Sequence, residues 1–319
     1  MPLLSIIIPV YNEEESIEHV ISALRETLSP EDIQFEIVFI CDGSLDATFE
    51  QVVKQSDLAD NIRGYRFSRN FGKEAAIWAG LQNSSGDCCV VMDGDLQHPP
   101  KALPKMLAKW QEGYKVVEGI KASRGQESAL YRFFSRTFYR VMSALSGFDM
   151  RSSSDFKLLD RQVVQELLKL DERNTFFRGL SFWMGFPSTE VQYEVAPREY
   201  GKSNWNFFKL FRYALNNVIG FSTAPLQFVT GIGAILVVAS IALAIHTLVR
   251  FFIGESLEGF TTVILILLFI GGSTMVSLGI IGLYVAKIYE EVKGRPRFII
   301  SESVSREAVK SQQDYDLKE

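Results

Sequence analysis

Cysteine is scarce. Only Cys41, Cys88 and Cys89 occur in 319 residues. An odd count with two adjacent members gives no disulfide framework, and no CxxC or Cys/His spacing for structural zinc is present. Reduced, packed thiols are the expectation, as in a cytoplasmic soluble part. A Walker-type phosphate loop is also lacking, and no G-x-G-x-x-G follows the first apolar run. A phosphate ligand would therefore be held by metal and cationic side chains, not by a glycine cradle. GIGAIL at Gly231 sits inside a long apolar run, where close packing explains it. Basic excess is missing too: 33 Lys and Arg stand against 38 Asp and Glu, a net charge of −5. No overall field for nucleic acid follows. The opening MPLLSIIIPVYNEEES has a short apolar stretch without a basic flank, so it reads as a strand and not as a signal peptide.

What the chain does have is alternation. Leu3–Val10 is a β-branched run suited to a strand buried on both faces. The segment after it has helical spacing at Ile17, Val20, Ile21 and Leu24, with Asn12 as the expected cap. Phe35–Ile40 reads as a second strand and Ala47–Gln55 as a helix. IRGYRFS is a third strand, GKEAAIWAGLQNS a helix, Asp87–Asp93 a fourth strand, KALPKMLAKWQEG a helix and YKVVEGI a strand. This pitch predicts an α/β domain with a mostly parallel sheet and helices on both faces. Residues 124–186 read as mainly helical, with Asp155 a possible helix cap, and VQYEVAPREYGKSNW as a strand and a loop.

Ligands of such sheets bind beyond the carboxyl ends of strands. Three of those ends are polar: PVYNEE, CDGS and DGDLQ. Asp42 ends the second strand, where a carboxylate can meet a ribose hydroxyl or a base. Arg69, Asn70 and Lys73 stand at a helix start, placed for diphosphate or base contacts. Asp93 and Asp95, two apart on a strand, would share a face and meet one cation, with Gln97 adding an amide oxygen. All-oxygen ligands with few dedicated carboxylates suit Mg²⁺ or Mn²⁺. On spacing alone, a solvated turn explains the same residues equally well.

The carboxyl-terminal third changes character. Leu226–Phe252 and Phe260–Val285 are long enough to cross a bilayer, which takes about 20 apolar residues. A buried helical hairpin is the alternative. Lys202, Lys209 and Arg212 precede the first run, and Lys287, Lys293, Arg295 and Arg297 follow the second. The positive-inside rule puts both termini in the cytoplasm and the GESLEGF loop outside. His246 and Arg250 are expected to snorkel. Asn204–Phe221, aromatic with interleaved cations, reads as an interfacial helix. Gly271, Gly272, Gly279 and Gly282 allow close helix packing. The tail from Ser301 is polar and expected to be mobile.

IIIPVYNEEESI, CDGSLDAT, FSRNFGKEAAIWAGL, VMDGDLQHPP, SDFKLLDR and the paired apolar runs together resemble a family. They are similar to the polyisoprenyl-phosphate glycosyltransferases of glycosyltransferase family 2, bactoprenol glucosyltransferase type, related to dolichol-phosphate mannose synthase. The likeness covers about residues 3–298. It implies a Rossmann-like GT-A catalytic domain over 1–200, a loop and interfacial amphipathic helix over 201–224, two transmembrane helices over 225–288 and a cytoplasmic polar tail over 289–319. Pro9, Tyr11, Asn12, Glu13, Asp42 and Lys73 then bind the nucleotide sugar. Asp93, Asp95 and Gln97 hold the metal and diphosphate. Asp155 lies near the reacting sugar, and Arg124 and Arg136 hold the acceptor phosphate. REYGKSNW resembles a loop pattern R-x-x-G-x-S-K-[aromatic] that closes over the donor, and its Lys202 and Ser203 join the residues that hold the acceptor phosphate. Asn204 stands where lysine is usual, and Cys41 replaces a commoner Asp or Asn.

The implied reaction is metal-dependent, inverting transfer of a hexose, with UDP-glucose favoured as donor, to undecaprenyl phosphate at the cytoplasmic face of the inner membrane. Asp95, Arg124 and Asp155 are its expected catalytic residues, with Asp155 orienting hydroxyls or serving as base. A homo-tetramer in the lipid bilayer is the family-based expectation. A processive polysaccharide synthase on the same fold lacks support, since no Q-x-x-R-W occurs. A transporter or scaffold with a vestigial sugar site is disfavoured by the intact D-x-D-x-Q.

Overall fold

The computed structural model describes residues 2–30, 33–122, 154–170, 172, 176–194, 223–253 and 259–305. Arg124, Arg136, Lys202, Ser203 and the Asn204–Phe221 helix lie outside these residues. The chain divides into two compact units, Met1–Asn204 with Arg295–Glu319, and Trp205–Gly294.

The first unit is built on an eight-stranded sheet in the order β7-β5-β6-β4-β1-β2-β3-β8. Its strands are β1 Leu3–Val10, β2 Gln34–Cys41, β3 Ile62–Phe67, β4 Cys88–Val91, β5 Val116–Lys121, β6 Lys157–Asp160, β7 Ser188–Tyr193 and β8 Ile300–Val304. The helices are α1 Ile17–Leu28, α2 Thr48–Leu58, α3 Lys73–Asn83, α4 Leu103–Gln111, α5 Arg161–Leu168 and α6 Phe177–Trp183. β1 pairs parallel with both β2 and β4, and β2 parallel with β3. Leu4 through Ile8 are fully buried, because a central parallel strand is covered on both faces. Ile6 and Ile8 share a core with Val20 and Leu24 of α1 and Met106 of α4. On the opposite face, Gly80 of α3 lies so close to Ile7 that an added Cβ would meet its Cγ2 at 2.2 Å.

The chain winds β1-β2-β3 in one direction and then crosses to put β4 on the other side of β1. That reversal opens a crevice at the carboxyl ends of β1 and β4.

Several expectations are corrected. Residues 157–160 are not helical: KLLD is a strand inserted antiparallel between β4 and β5. All four residues are buried, so the run carries no alternation to betray it. Asp160, not Asp155, caps the following helix, accepting from Gln162 N at 2.9 Å. Helix α1 starts only at Ile17, and Asn12 caps nothing there. The tail is not uniformly unstructured, for β8 pairs antiparallel with β3. Phe298 stacks on Phe67 with centroids 5.1 Å apart, and Arg66 meets Glu302 at 3.3 Å.

The second unit contains α7 Ala224–Ile253 and α8 Phe260–Val292. Each holds a stretch long and apolar enough to cross a membrane, Pro225–Arg250 and Ile266–Val292. Neither stretch is buried against the described residues, which speaks against a buried hairpin. The glycines of α8 at 271, 272, 279 and 282 meet nothing within 4 Å of an added Cβ.

Candidate active site

Three loops at the strand ends are stitched together by their own polar groups. Asn12 adopts φ 53°, and its side-chain oxygen accepts from Leu45 N at 2.9 Å while its own N–H donates to Ser44 Oγ. Glu13 N donates to Thr48 Oγ1 at 2.9 Å. Gly43, at φ +66°, rests on the next loop: a Cβ there would come within 2.3 Å of the Arg69 carbonyl carbon. Asp42 completes the join, accepting from Phe71 N at 2.6 Å and Gly72 N at 2.9 Å. Burial pushes its carboxyl up, and the two amides oppose that. Each Asp42 oxygen is thus already engaged by backbone, so its first task is to fix the turn entering α3. Tyr11 is 45% exposed at the rim, and Pro9 is half-buried in β1.

β4 ends at Val91, two residues earlier than the sequence suggests. Asp93 and Asp95 therefore sit in a turn and not along a strand face. Two hydrogen bonds and one left-handed residue shape it. Asp93 N donates to His98 Nδ1 at 3.1 Å, Gln97 N donates to Asp95 Oδ1 at 3.1 Å, and Leu96 takes φ 57°. His98 stacks on Phe156 with centroids 4.9 Å apart, and burial keeps its pKa low. Its Nδ1 accepts a hydrogen bond, so the neutral ring carries its proton on Nε2. Gly94 is buried between the two aspartates, and a Cβ there would lie 2.5 Å from Glu13 Oε2. The donors offered are oxygen only, two part-exposed carboxylates and the Gln97 amide. Among the described residues no three His, Cys, Asp or Glu gather to cage a metal. That set fits a hard divalent cation completed by water and phosphate, and no softer metal.

Behind the turn lies a charge network that the sequence only half reveals. Lys73 Nζ stands 2.6 Å from Asp93 Oδ1 and 2.9 Å from Asp155 Oδ2. Arg178 grips Asp155 with both arms, Nε to Oδ1 at 2.6 Å and Nη2 to Oδ2 at 2.7 Å. Burial would raise the Asp155 carboxyl, but the Arg178 hydrogen bonds and the Lys73 charge hold it well below the usual carboxylate range. Burial likewise opposes ionisation of Asp93, and Lys73 outweighs it. Glu74 accepts from Phe177 N at 3.0 Å. Burial, then the Asp155 charge, pushes its carboxyl up to about 7.

Arg178 is itself held from below. Lys157, fully buried in β6, pairs with Glu118 across the strand register to β5. Its ammonium also donates to Ser181 Oγ at 2.6 Å and to the Arg178 carbonyl at 3.3 Å. Desolvation pushes the Lys157 pKa down and the Glu118 pKa up. Glu74, Arg178, Lys157 and Glu118 escape a reading by motif. For the last three the available signal was a single charge inside each of the apolar runs VVEGI, FKLL and FFRGLSF.

Glu74 yields a pH prediction. Its folded pKa lies above the ordinary glutamate value of about 4.3. Between those values the folded carboxyl keeps a proton that the unfolded one has released, so stability falls as pH rises through 7. Glu74→Gln keeps the acceptor for Phe177 N and removes the charge. It should raise the melting temperature by about 3 °C at pH 8 and by little at pH 5. Equal shifts at both pH values would contradict this assignment.

Comparison with known proteins agrees with this architecture. Residues 5–168 match the family described as glycosyl transferase family 2. A putative glycosyltransferase, CsbB, of Bacillus subtilis is 39% identical over 303 residues, covering 94% of this chain and 92% of that one. A prophage-derived bactoprenol glucosyl transferase of Shigella flexneri is 37% identical over 308 residues, 94% of this chain and 98% of that one. Among solved structures, glucosyl-3-phosphoglycerate synthase of Mycobacterium tuberculosis, in complex with Mn²⁺, UDP and phosphoglyceric acid, superposes with a TM-score of 0.50. It is 19% identical and covers 68% of this chain and 76% of its own, a likeness of fold. The sheet is thus a GT-A sheet, and the chain belongs to glycosyl transferase family 2 and is a glycosyltransferase.

Proposed function

We propose that the protein transfers a hexose, glucose by preference, from UDP-glucose to undecaprenyl phosphate at the cytoplasmic face of the inner membrane, inverting the anomeric centre. The observation that carries this is the acidic turn Asp93–Gln97 at the β1/β4 switch point, in a chain that also holds two apolar helices of membrane length. The kinship with a bactoprenol glucosyl transferase over nearly the full length supports the acceptor. Both termini and the first unit are cytoplasmic in this reading, and the GESLEGF loop is on the outside.

Asp93, Asp95 and Gln97 would hold Mg²⁺ or Mn²⁺, which when bound supplies Lewis-acid neutralisation of the leaving diphosphate. The remaining work falls to the chain. An acceptor phosphate monoester is largely ionised at pH 7, so it needs little help from a base. Asp155, held ionised by Lys73 and Arg178, is poorly suited to take a proton. Its role in this reading is to fix the two cations beside the reacting centre. Arg124, with Arg136, Lys202 and Ser203, is assigned to the acceptor phosphate. A single displacement by phosphate oxygen turns an α-linked donor into a β-linked lipid product.

The test incubates the full chain in bilayer discs with undecaprenyl phosphate, Mg²⁺ or Mn²⁺, and a panel of labelled nucleotide sugars. Metal-dependent label in the lipid phase is expected with UDP-glucose. No label with any donor would sink the reading.

A further inference from the structure

The acidic turn and the charge network behind it share one carboxylate. Asp93 is offered to a divalent cation from the turn side, yet its Oδ1 is already in contact with Lys73 Nζ at 2.6 Å. The same ammonium reaches Asp155 at 2.9 Å, and Arg178 holds both oxygens of Asp155. The charges of this quartet cancel: Asp93 and Asp155 supply two negatives, Lys73 and Arg178 two positives.

A divalent ion entering alone would meet a carboxylate that is already neutralised and an ammonium a hydrogen-bond length behind it. A nucleoside diphosphate changes that balance, because its oxygens add negative charge and give the ammonium another partner. The anatomy permits such an exchange. The Lys73 side chain is 42% exposed while that of Asp155 is 8% exposed, so the flexible end of the network faces the crevice and the fixed end lies in the protein. Lysine suits the task, being a compact charge on a mobile stem, whereas Arg178 is a rigid fork.

We propose that Lys73 is a built-in counter-cation for Asp93, which yields that carboxylate to the divalent ion only when a nucleoside diphosphate arrives, keeping its hold on Asp155. Metal and donor then bind as a pair, and metal alone binds weakly. This gives Lys73 a second task beside donor binding. The inference rests on the metal site assigned above to Asp93 and Asp95.

The experiment measures Mn²⁺ binding to the full-length protein by the electron paramagnetic resonance of free Mn²⁺, with and without UDP. In the wild type, UDP should tighten Mn²⁺ binding at least tenfold, on the order expected for relieving one nearby like charge at a half-exposed site. Lys73→Gln should tighten Mn²⁺ binding without UDP by about tenfold, shrinking the effect of UDP correspondingly. Lys73→Arg should keep binding weak. Unchanged or weaker Mn²⁺ binding by Lys73→Gln without UDP, in protein that melts like the wild type, overturns the proposal. If that variant does not fold, the wild type decides, since Mn²⁺ affinity indifferent to UDP overturns it equally. A wild type that takes up no Mn²⁺ even with UDP removes the metal site itself, and this inference with it. A normal UDP-linked uptake that Lys73→Gln leaves unaltered removes only the inference.

Discussion

Asp95→Asn should lower sugar transfer by about 10²–10³-fold while the melting temperature stays within a degree or two of the wild type. Asparagine keeps a side-chain oxygen to accept the Gln97 N–H that closes the turn. What it removes is the charge. Asp95 is part-exposed and lies outside every strand, so little of the core depends on it. Its loss should fall on the step in which charge develops on the leaving diphosphate, where a fixed opposing charge counts most. Turnover of labelled sugar into lipid, followed beside a thermal melt, checks both halves. Wild-type turnover in Asp95→Asn would place the metal elsewhere.

Asp155→Ala should cost both activity and stability. Arg178 and Lys73 would then face each other without the carboxylate between them, and removing one partner of a buried pair costs about 3–5 kcal/mol. The cations here keep part of their hydration, so about 3 kcal/mol is the figure to expect, a melting temperature lower by about 6–12 °C. The sign with pH follows from the lowered carboxyl. Its contribution is complete above about pH 4, the unfolded value, and is lost only as pH falls below that. Between pH 5 and 8 Asp155 should therefore shape neither the stability curve nor the rate profile. The pH–rate profile of Asp155→Asn separates the two roles: a slower enzyme with an unchanged profile means positioning. Loss of an acid limb would mean that Asp155 takes the proton after all.

The parts of this molecule that were legible from residues alone share a physical cause. β1 was readable to the residue because a strand buried on both faces must be a nearly continuous apolar run, and Leu3–Val10 is one but for Ser5. The polar strand ends were legible because carboxylates and amides interrupt such runs abruptly. β6 was not, since four buried residues carry no period, and its Lys157 looks like a surface charge until Glu118 is set opposite. Arg178 was hidden for the same reason, as nothing local in FFRGLSFW says that its partner is Asp155, 23 residues earlier. The turn at Asp93 was legible in chemistry and misread in geometry. Its carboxylates converge by a turn held with His98 and Gln97, not by strand alternation.

The order of synthesis gives β8 a meaning that its five residues do not suggest. The ribosome delivers β1 through β7 first, then both apolar helices, and only then Ile300–Val304. Until those last residues emerge, the β3 edge stands open, a row of unpaired backbone groups that invites strand pairing with other chains. The glycosyltransferase sheet can therefore close only after α7 and α8 have been made. A chain cut after Ser222 leaves that edge open for good. It is expected to be prone to aggregation, and adding Arg295–Val304 back as a free peptide should relieve it.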